Sequence, residues 1–285
     1  MTLHLVDRAE AYSNRTAIVV GEDAYTYSDL LRVSSIVATR LLSGRKNLNA
    51  GRICILVPPG WDYVVTLWGI WRAGGVAVPM AISHPPAELA HVIEDAKPEA
   101  IIAHPTLFAQ INNLADERGL PVLDGSTLSQ EIPLCEIPIV QEEGPSMILY
   151  TSGTTGRPKG VVLTHKNIRS QVESLTVAWG WDHDDHILLH LPLHHVHGIV
   201  NVLLSALWNG STCEIFPRFN AVEVWERLSH RNITLYMAVP TIYRRLIEAW
   251  KRANSATRTA WASGAGACRL SVSGSAALPV TTLDM

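Results

Sequence analysis

Cysteine is scarce and scattered. The four, at 54, 135, 213 and 268, include no C-x-x-C pair, which argues against a zinc cage or a disulfide framework and suits a reducing compartment. An excess of one charge is also lacking: 23 Lys and Arg stand against 26 Asp and Glu, a net charge of −3. The sequence therefore gives no electrostatic basis for nucleic-acid binding and points to small-molecule partners. No apolar run is long enough to span a bilayer, because the most apolar stretch, 64–82, is broken by Arg72, Gly74, Gly75 and Pro79. It reads as a buried helix followed by a strand. The amino terminus has neither the apolar core of a secretion signal nor the Arg/Ser-rich, acid-poor character of an organelle presequence, and no internal repeat is visible.

What is present is a core-forming composition, 47% hydrophobic over 285 residues, with alternating strand and helix signals. Residues 16–20 and 24–27 are expected to pair as a hairpin across Gly21, after which Ser28 caps a helix carrying Leu31, Ile36, Val37, Leu41 and Leu42. Strands are expected at 52–57, 75–79 and 100–103, a helix at 61–72, and another starting at Pro85-Pro86. Repeated strand–helix–strand units predict an α/β fold of helix-covered, mostly parallel sheets. The charged, proline-rich stretch 126–145 reads as the connection between two such sheets, giving subdomains of roughly 1–140 and 141–285, and the Ser/Ala/Gly/Arg stretch 253–267 reads as a loop.

Residues 150–160 read Tyr-Thr-Ser-Gly-Thr-Thr-Gly-Arg-Pro-Lys-Gly between two apolar runs. Gly153, Gly156 and Gly160 permit positive φ and close approach to a ligand. Thr151, Ser152, Thr154 and Thr155 add hydroxyls, and Lys159 adds a compact charge. A Walker A loop needs Gly before its Lys and Ser or Thr after it, and Pro158 and Gly160 stand there instead. The plain alternative for any such stretch is an ordinary small-residue turn.

Three histidines follow in Leu191-Pro-Leu-His194-His195-Val-His197-Gly198. On a strand His195 and His197 would share a face, so metal ligation, a structural role and a substrate-site role all stand as readings. Farther on, Val239-Pro240-Thr241 begins a helix carrying Arg244 and Arg245, which are either solvated or ligand-facing, and the string Ser273-Gly274-Ser275-Ala276-Ala277 follows.

Together these strings resemble the signatures of the acyl-adenylate-forming (AMP-binding) superfamily, and His194 to Gly198, Val239 to Tyr243 and Ser273 to Pro279 look like the malonyl-CoA synthetases within it. The resemblance implies an ATP-dependent acid–thiol ligase, an acyl-CoA synthetase of fatty acid metabolism that adenylates malonate and passes the acyl group to coenzyme A. It implies that Thr151, Ser152, Gly153, Thr154, Thr155, Gly156 and Lys159 hold the phosphates of ATP with Mg2+, with Thr155 as the expected metal ligand and Lys159 as a catalytic cation. His195 would sit beside the reacting carboxylate as the second catalytic residue. Arg245 would pair with the distal carboxylate, and Ser273, Gly274, Ser275 and Ala276 would border substrate and nucleotide. A mitochondrial location follows from the same resemblance. The family's Tyr-Gly-x-Thr-Glu segment, hinge and small carboxy-terminal domain find no counterpart here, so the sequence also reads as a partial amino-terminal adenylation domain. The alternative is an inactive isoform or fragment that binds a ligand or partner at most.

Overall fold

The computed structural model describes residues 3–151, 157–230 and 232–283. The strands are β1 (Thr16–Val20), β2 (Asp23–Thr26), β3 (Arg52–Leu56), β4 (Val76–Pro79), β5 (Ala100–Ala103), β6 (Val122–Asp124), β7 (Pro145–Thr151), β8 (Lys159–Thr164), β9 (His186–Leu189), β10 (Thr212–Ile215), β11 (Leu235–Ala238) and β12 (Leu270–Ser273). The main helices are α1 (His4–Ala11), α2 (Tyr27–Leu42), α3 (Trp61–Arg72), α4 (Pro86–Ala96), α5 (Phe108–Asp116), α6 (His165–Trp179), α7 (Ser205–Trp208), α8 (Ala221–Ser229), α9 (Pro240–Arg252) and α10 (Ser255–Ala265). A π-helical segment, His197–Leu204, runs directly into α7.

Among the described residues the strands form two six-stranded sheets, the first in the order β6-β5-β3-β4-β7-β8 and the second in the order β12-β11-β9-β10-β1-β2. The pairings are parallel except the hairpins β1–β2 and β7–β8. Alternation along β3 shows how the layers arise. Ile53 and Ile55 join a large core that also holds Ile18, Ile187 and Met237 of the other sheet, whereas Cys54 and Leu56 join a second cluster with Leu89 and Val92 of α4 and Ile111 of α5. A strand buried on both faces is apolar throughout, and period two decides which core each residue enters. The helices α1, α2, α3 and α7 fill the space between the sheets, contributing Val6, Leu30, Trp68 and Leu207 to the shared core. On the far face of the second sheet Leu188, Tyr236 and Ala238 pack with Val224 and Leu228 of α8 and Leu246 of α9.

Four details differ from the sequence reading. The hairpin ends at Thr26, not Tyr27, because Thr26 caps α2 in a reciprocal box with Asp29 and Tyr27 is already helical and fully buried. Residues 126–145 do not lead from one sheet to the next. They run across α2, where Gln130 accepts a hydrogen bond from Arg40, and β7 then returns to pair with β4. The β7–β8 hairpin therefore closes the sheet of β3–β6, and the amino-terminal hairpin β1–β2 belongs to the other, so a boundary near 140 separates neither sheet. Residues 255–265 are helical, capped by Asn254 and anchored by Trp261 stacked on Trp225, with ring centres 5.7 Å apart. Finally, the histidine string lies on no strand: β9 ends at Leu189, and His197 opens the π-helical turn. None of the described helices is long and apolar enough to cross a membrane.

Candidate active site

The chemistry-bearing segments gather beyond the carboxyl ends of the parallel strands, where ligands bind in open α/β sheets. The β7–β8 turn, the residues after β4 leading into α4, and the His194–His195 turn after β9 together enclose a cavity of about 770 Å³. Its walls include Thr151, Arg157 and Pro158 of the turn, His84, Glu88 and His91, and His194 and His195. Pro86 at the first position of α4 fixes where that helix begins. Glu88 then lies one turn from His84, its Oε2 3.3 Å from His84 Nε2. His91 Nε2 meets the Pro158 carbonyl oxygen at 2.8 Å, tying α4 to the turn.

Of the phosphate-loop residues expected from sequence, Ser152, Gly153, Thr154, Thr155 and Gly156 lie outside the described residues. Thr151 and Lys159 are opposite one another at the mouth of the hairpin, both exposed, paired across β7 and β8. Between them and the helix, Tyr150 donates to Asp95 Oδ2 at 2.6 Å, which steadies the last residues of β7 against α4.

Three histidines converge on the cavity wall. The rings of His194 and His195 are 4.1 Å apart, and His84 lies 5.7 Å from His194. Burial, followed by the neighbouring His195 and His84, pushes the pKa of His194 down to about 4, and burial and His84 also hold His195 below the ordinary histidine value. A neutral imidazole at His195 can accept or share a proton with a carboxylate instead of being locked in an ion pair. The turn carrying it is fixed from beneath, because the Tyr63 hydroxyl of α3 donates to the Leu193 carbonyl at 2.6 Å. At Gly198 an added Cβ would lie 2.5 Å from the Pro192 carbonyl oxygen, so only glycine lets the chain fold back this tightly.

His197 faces a different neighbour. It is buried, its Nδ1 meets Ser275 Oγ at 3.0 Å, and a Cβ on Gly274 would sit 2.8 Å from its Cε1. The imidazole thus packs against the bare backbone after β12. Gly274 N–H donates to the Ala238 carbonyl, extending the β11–β12 ladder to this point, and Ser275 adopts a positive φ of 66°. The histidine string and the Ser273-Gly274-Ser275-Ala276 string, far apart in sequence, therefore form one surface, with Ser275 and Ala276 exposed. His195 and His197 are directed to separate neighbours and do not present a shared ligand set.

Arg245 is exposed in the second turn of α9, with no hydrogen bond or ion pair among the described residues, while Arg244 lies 3.9 Å from Glu248 one turn on. Sequence reasoning missed His84, Glu88 and His91. Their i, i+4 and i+7 spacing behind a helix-starting Pro85-Pro86 was the available signal, but nothing local says that the turn after β9 packs on them.

A second, smaller cavity of about 170 Å³ adjoins His194 and is lined by Tyr63, Met80, His190, Arg218 and Phe219. His190 Nε2 is 2.8 Å from the Tyr236 hydroxyl, and burial pushes the His190 pKa down to about 4.

The sequence matches the AMP-binding enzyme family over residues 5–284. Among curated relatives it is 41% identical to the mitochondrial malonate–CoA ligase of Homo sapiens over 97% of this chain and 51% of that protein. It is 34% identical to the malonate–CoA ligase of Arabidopsis thaliana over 93% of this chain and 50% of that protein. Among solved structures, ATP-bound MatB from Rhodopseudomonas palustris superposes with a TM-score of 0.86 at 26% identity, covering 99% of this chain and 56% of that one. A malonyl-CoA ligase in ternary complex with methylmalonyl-CoA and AMP gives a TM-score of 0.81 at 28% identity, over 96% of this chain and 55% of that one. The chain spans about half the length of the curated relatives it matches. By that match over nearly its whole length, the chain belongs to the AMP-binding enzyme family.

Proposed function

We propose that this chain carries the phosphate-loop and acyl-pocket portion of an acid–thiol ligase that adenylates malonate, or a related small dicarboxylic acid, and transfers the acyl group to coenzyme A in mitochondria. The observation that carries the reading is the meeting of the β7–β8 turn and His195 on one cavity, with Thr151, Arg157 and His195 on its walls. In that arrangement a triphosphate at the turn lies next to a carboxylate at the histidine.

The residues fit such a triphosphate. Arg157 and Lys159 flank the turn, both exposed, and neither has an ion-pair partner among the described residues, so their charge is available to phosphate oxygens. Glu88 adds a hard oxygen donor to the same cavity, suited to a hydrated divalent cation, whereas the nearby Glu94 is paired with Arg118 at 2.7 Å. Magnesium, when bound, would neutralise phosphate charge, and its expected protein ligand Thr155 lies outside the described residues.

The carboxylate oxygen of malonate attacks the α-phosphorus, the bond to the β-phosphate oxygen breaks, and pyrophosphate leaves. The thiol of coenzyme A then adds to the acyl carbon and AMP leaves. In the first step Lys159 and Arg157 offset charge on the departing phosphates, and neutral His195 hydrogen-bonds the reacting carboxylate or the new mixed anhydride. His197, held by Ser275 against Gly274, keeps the opposite wall of the acyl site in register. Arg245, which has no hydrogen bond or ion pair among the described residues, serves the distal carboxylate. An acid without that second charge leaves the guanidinium unpaired, which selects against acetate and fatty acids.

Malonate-dependent exchange of pyrophosphate into ATP by the purified chain tests this, with acetate and octanoate as controls and Lys159→Ala as the blank. Exchange with malonate alone, lost in Lys159→Ala and reduced roughly a hundredfold in His195→Ala, is expected if the portion present adenylates on its own. Calorimetric titration with ATP and with malonate is run beside it. Absence of both exchange and binding in a folded chain overturns the reading and leaves the family fold without this activity. Binding without exchange favours the alternative that the chain is a ligand-binding remnant.

A further inference from the structure

The proposed ligase chemistry gives no task to the face of α4 that meets the β7–β8 hairpin. β8 is the outer strand of its sheet, and the successive residues Val161 and Val162, which point to opposite faces, are both exposed. Burial therefore does little to fix this strand near the turn. The register pair nearest the turn is Thr151 with Lys159. Beyond it, Pro158 is held from the side, by α4.

The helix grips both strands. His91 Nε2 lies 2.8 Å from the Pro158 carbonyl oxygen, and since a carbonyl only accepts, Nε2 carries the proton. At the end of β7 the Tyr150 hydroxyl donates to Oδ2 of Asp95, one helical turn from His91, at 2.6 Å. Between these two bonds the rings of His91 and Tyr150 meet edge to face, 6.2 Å between centres and 80° between planes. Gly160 of β8 pairs with Tyr150 across the ladder, and a Cβ there would sit 3.2 Å from Tyr150 Cζ, so the tyrosine ring lies against bare backbone.

The kind of bond matters as much as its place. Pro158 stands between Arg157 and Lys159, the two exposed cations that face phosphate in the proposed function. α4 also carries Glu88, Glu94 and Asp95, any of which could neutralise a cation at the turn. Each has another neighbour: Glu88 is 3.3 Å from His84, Glu94 is 2.7 Å from Arg118, and Asp95 accepts from Tyr150. The helix thus holds the turn through a neutral hydrogen bond and leaves the charge of both cations open. His84, two residues before α4, has its ring 5.7 Å from that of His194, so one rigid element spans from the histidine turn to the phosphate turn. In-line attack depends on that spacing, and a misplacement of about 1 Å can cost a hundredfold in rate. Resting on the adenylation reading, we propose that His91 is a positioning residue of this site: its Nε2–H, given to the Pro158 carbonyl, sets where Arg157 and Lys159 stand for the triphosphate.

The test compares the full chain with His91→Phe, which keeps a ring against Tyr150 and removes the donor, and with His91→Gln, which keeps an N–H donor. Circular dichroism and thermal unfolding establish that each is folded, and His91→Ala takes the place of His91→Phe should that variant fail to fold. Hydrogen exchange over residues 159–162, measured without nucleotide, is expected to quicken in His91→Phe and to return toward the unmodified rate in His91→Gln. Calorimetric titration with ATP in magnesium chloride, and separately with malonate, follows. Affinity for ATP should fall roughly tenfold in His91→Phe and recover in His91→Gln, while affinity for malonate stays unchanged in both. A general loss of structure would weaken both ligands and would not be rescued by glutamine. Unchanged exchange over 159–162 in His91→Phe, equal losses for ATP and malonate, or no recovery in His91→Gln overturns the proposal. An unmodified chain that binds neither ligand overturns the adenylation reading instead, and the exchange rates still decide whether His91 holds the turn.

Discussion

At the scale of single residues, several histidines do not behave as solvated side chains, and the reasons are separable. His165 begins α6, lies edge-on to Trp71 with ring centres 5.6 Å apart, and has no partner for its Nε2 among the described residues. Burial pushes its pKa down to about 4, as it does for His190. In the unfolded chain an ordinary histidine titrates near about 6.5. Between the two values the unfolded state binds more protons than the folded one, so stability is complete above the unfolded value and is lost as pH falls through the window from about 6.5 to about 4. Each histidine is expected to cost about 2 kcal/mol between about pH 7 and pH 5. Asp185 and Glu214 change stability in the same direction but farther down. Burial works against their charged forms, and hydrogen bonds to Arg269 and Thr234, and to His186 and Arg227, nevertheless keep both below the carboxylate range. Urea unfolding at the two pH values measures the loss, and His165→Phe should remove about 2 kcal/mol of it. An unchanged pH slope in that variant would show that His165 is solvated.

At the scale of elements, one buried carboxylate organises the entry to three strands. Asp185 is 3% exposed and immediately precedes β9. Its Oδ1 accepts from Thr234, just before β11, at 2.6 Å and from Arg269 Nε, just before β12, at 2.8 Å, while its Oδ2 accepts from the Asp182 backbone N–H and from Arg269 Nη2. Arg269 also donates to the Trp179 carbonyl at the end of α6. Arg269→Ala leaves a buried carboxylate with one charged partner fewer, for which a cost of roughly 2–4 kcal/mol is expected, discounted from the fully buried case because the guanidinium is partly exposed. Since β12 leads to Gly274 and Ser275, hydrogen exchange should quicken at 270–275 and the contact with His197 should loosen. Asp185→Asn combined with Arg269→Gln should recover part of the loss, and a double variant no better than the single would refute the charge argument. Such a network has no sequence signature, because Asp185, Thr234 and Arg269 are spaced by the fold. What was legible is what periodicity and capping encode: the β1–β2 hairpin, α3 between Trp61 and Arg72, β4, β5, and the Pro-initiated α4 and α9. α10 was missed because only Trp261 and the small Gly264 are buried along it, so its helicity rests on Asn254 capping and on packing against α8 and not on an amphipathic stripe. The conformation of the histidine turn was not legible, because the apolar residues around it, Leu191, Leu193 and Ile199, are buried without being extended.

At the scale of the whole molecule, the two sheets exchange ends of the chain. The first hairpin, β1–β2, is completed only by β10, where Ile18 aligns with Cys213, and β4 is completed only by β7, where Ala77 aligns with Met147. Between the sheets a single core joins Ile18 and Ile187 from one to Ile55 and Met147 from the other through Tyr27, Leu30, Trp68 and Leu203. Tyr27 makes the dependence explicit: from the start of α2 its hydroxyl donates to the Ser211 carbonyl at 2.7 Å, across most of the sequence. A cut near residue 140 would strand the β1–β2 hairpin without a sheet and leave β4 as an open edge, while the remaining piece would keep β7–β8 with nothing to pair against. Shared core and exchanged strands predict one cooperative transition for the intact chain, with calorimetric and van't Hoff enthalpies in agreement. They also predict that segments 1–140 and 141–285, expressed separately, each lack a sharp melt and expose apolar surface that binds a hydrophobic dye. Mixed from denaturant, the two should recover a cooperative melt only together. A sharp transition in segment 1–140 alone would mean that the sheet of β3–β6 holds itself without β7 and β8, and that the β7–β8 hairpin is an addition to a finished core, not its closing edge.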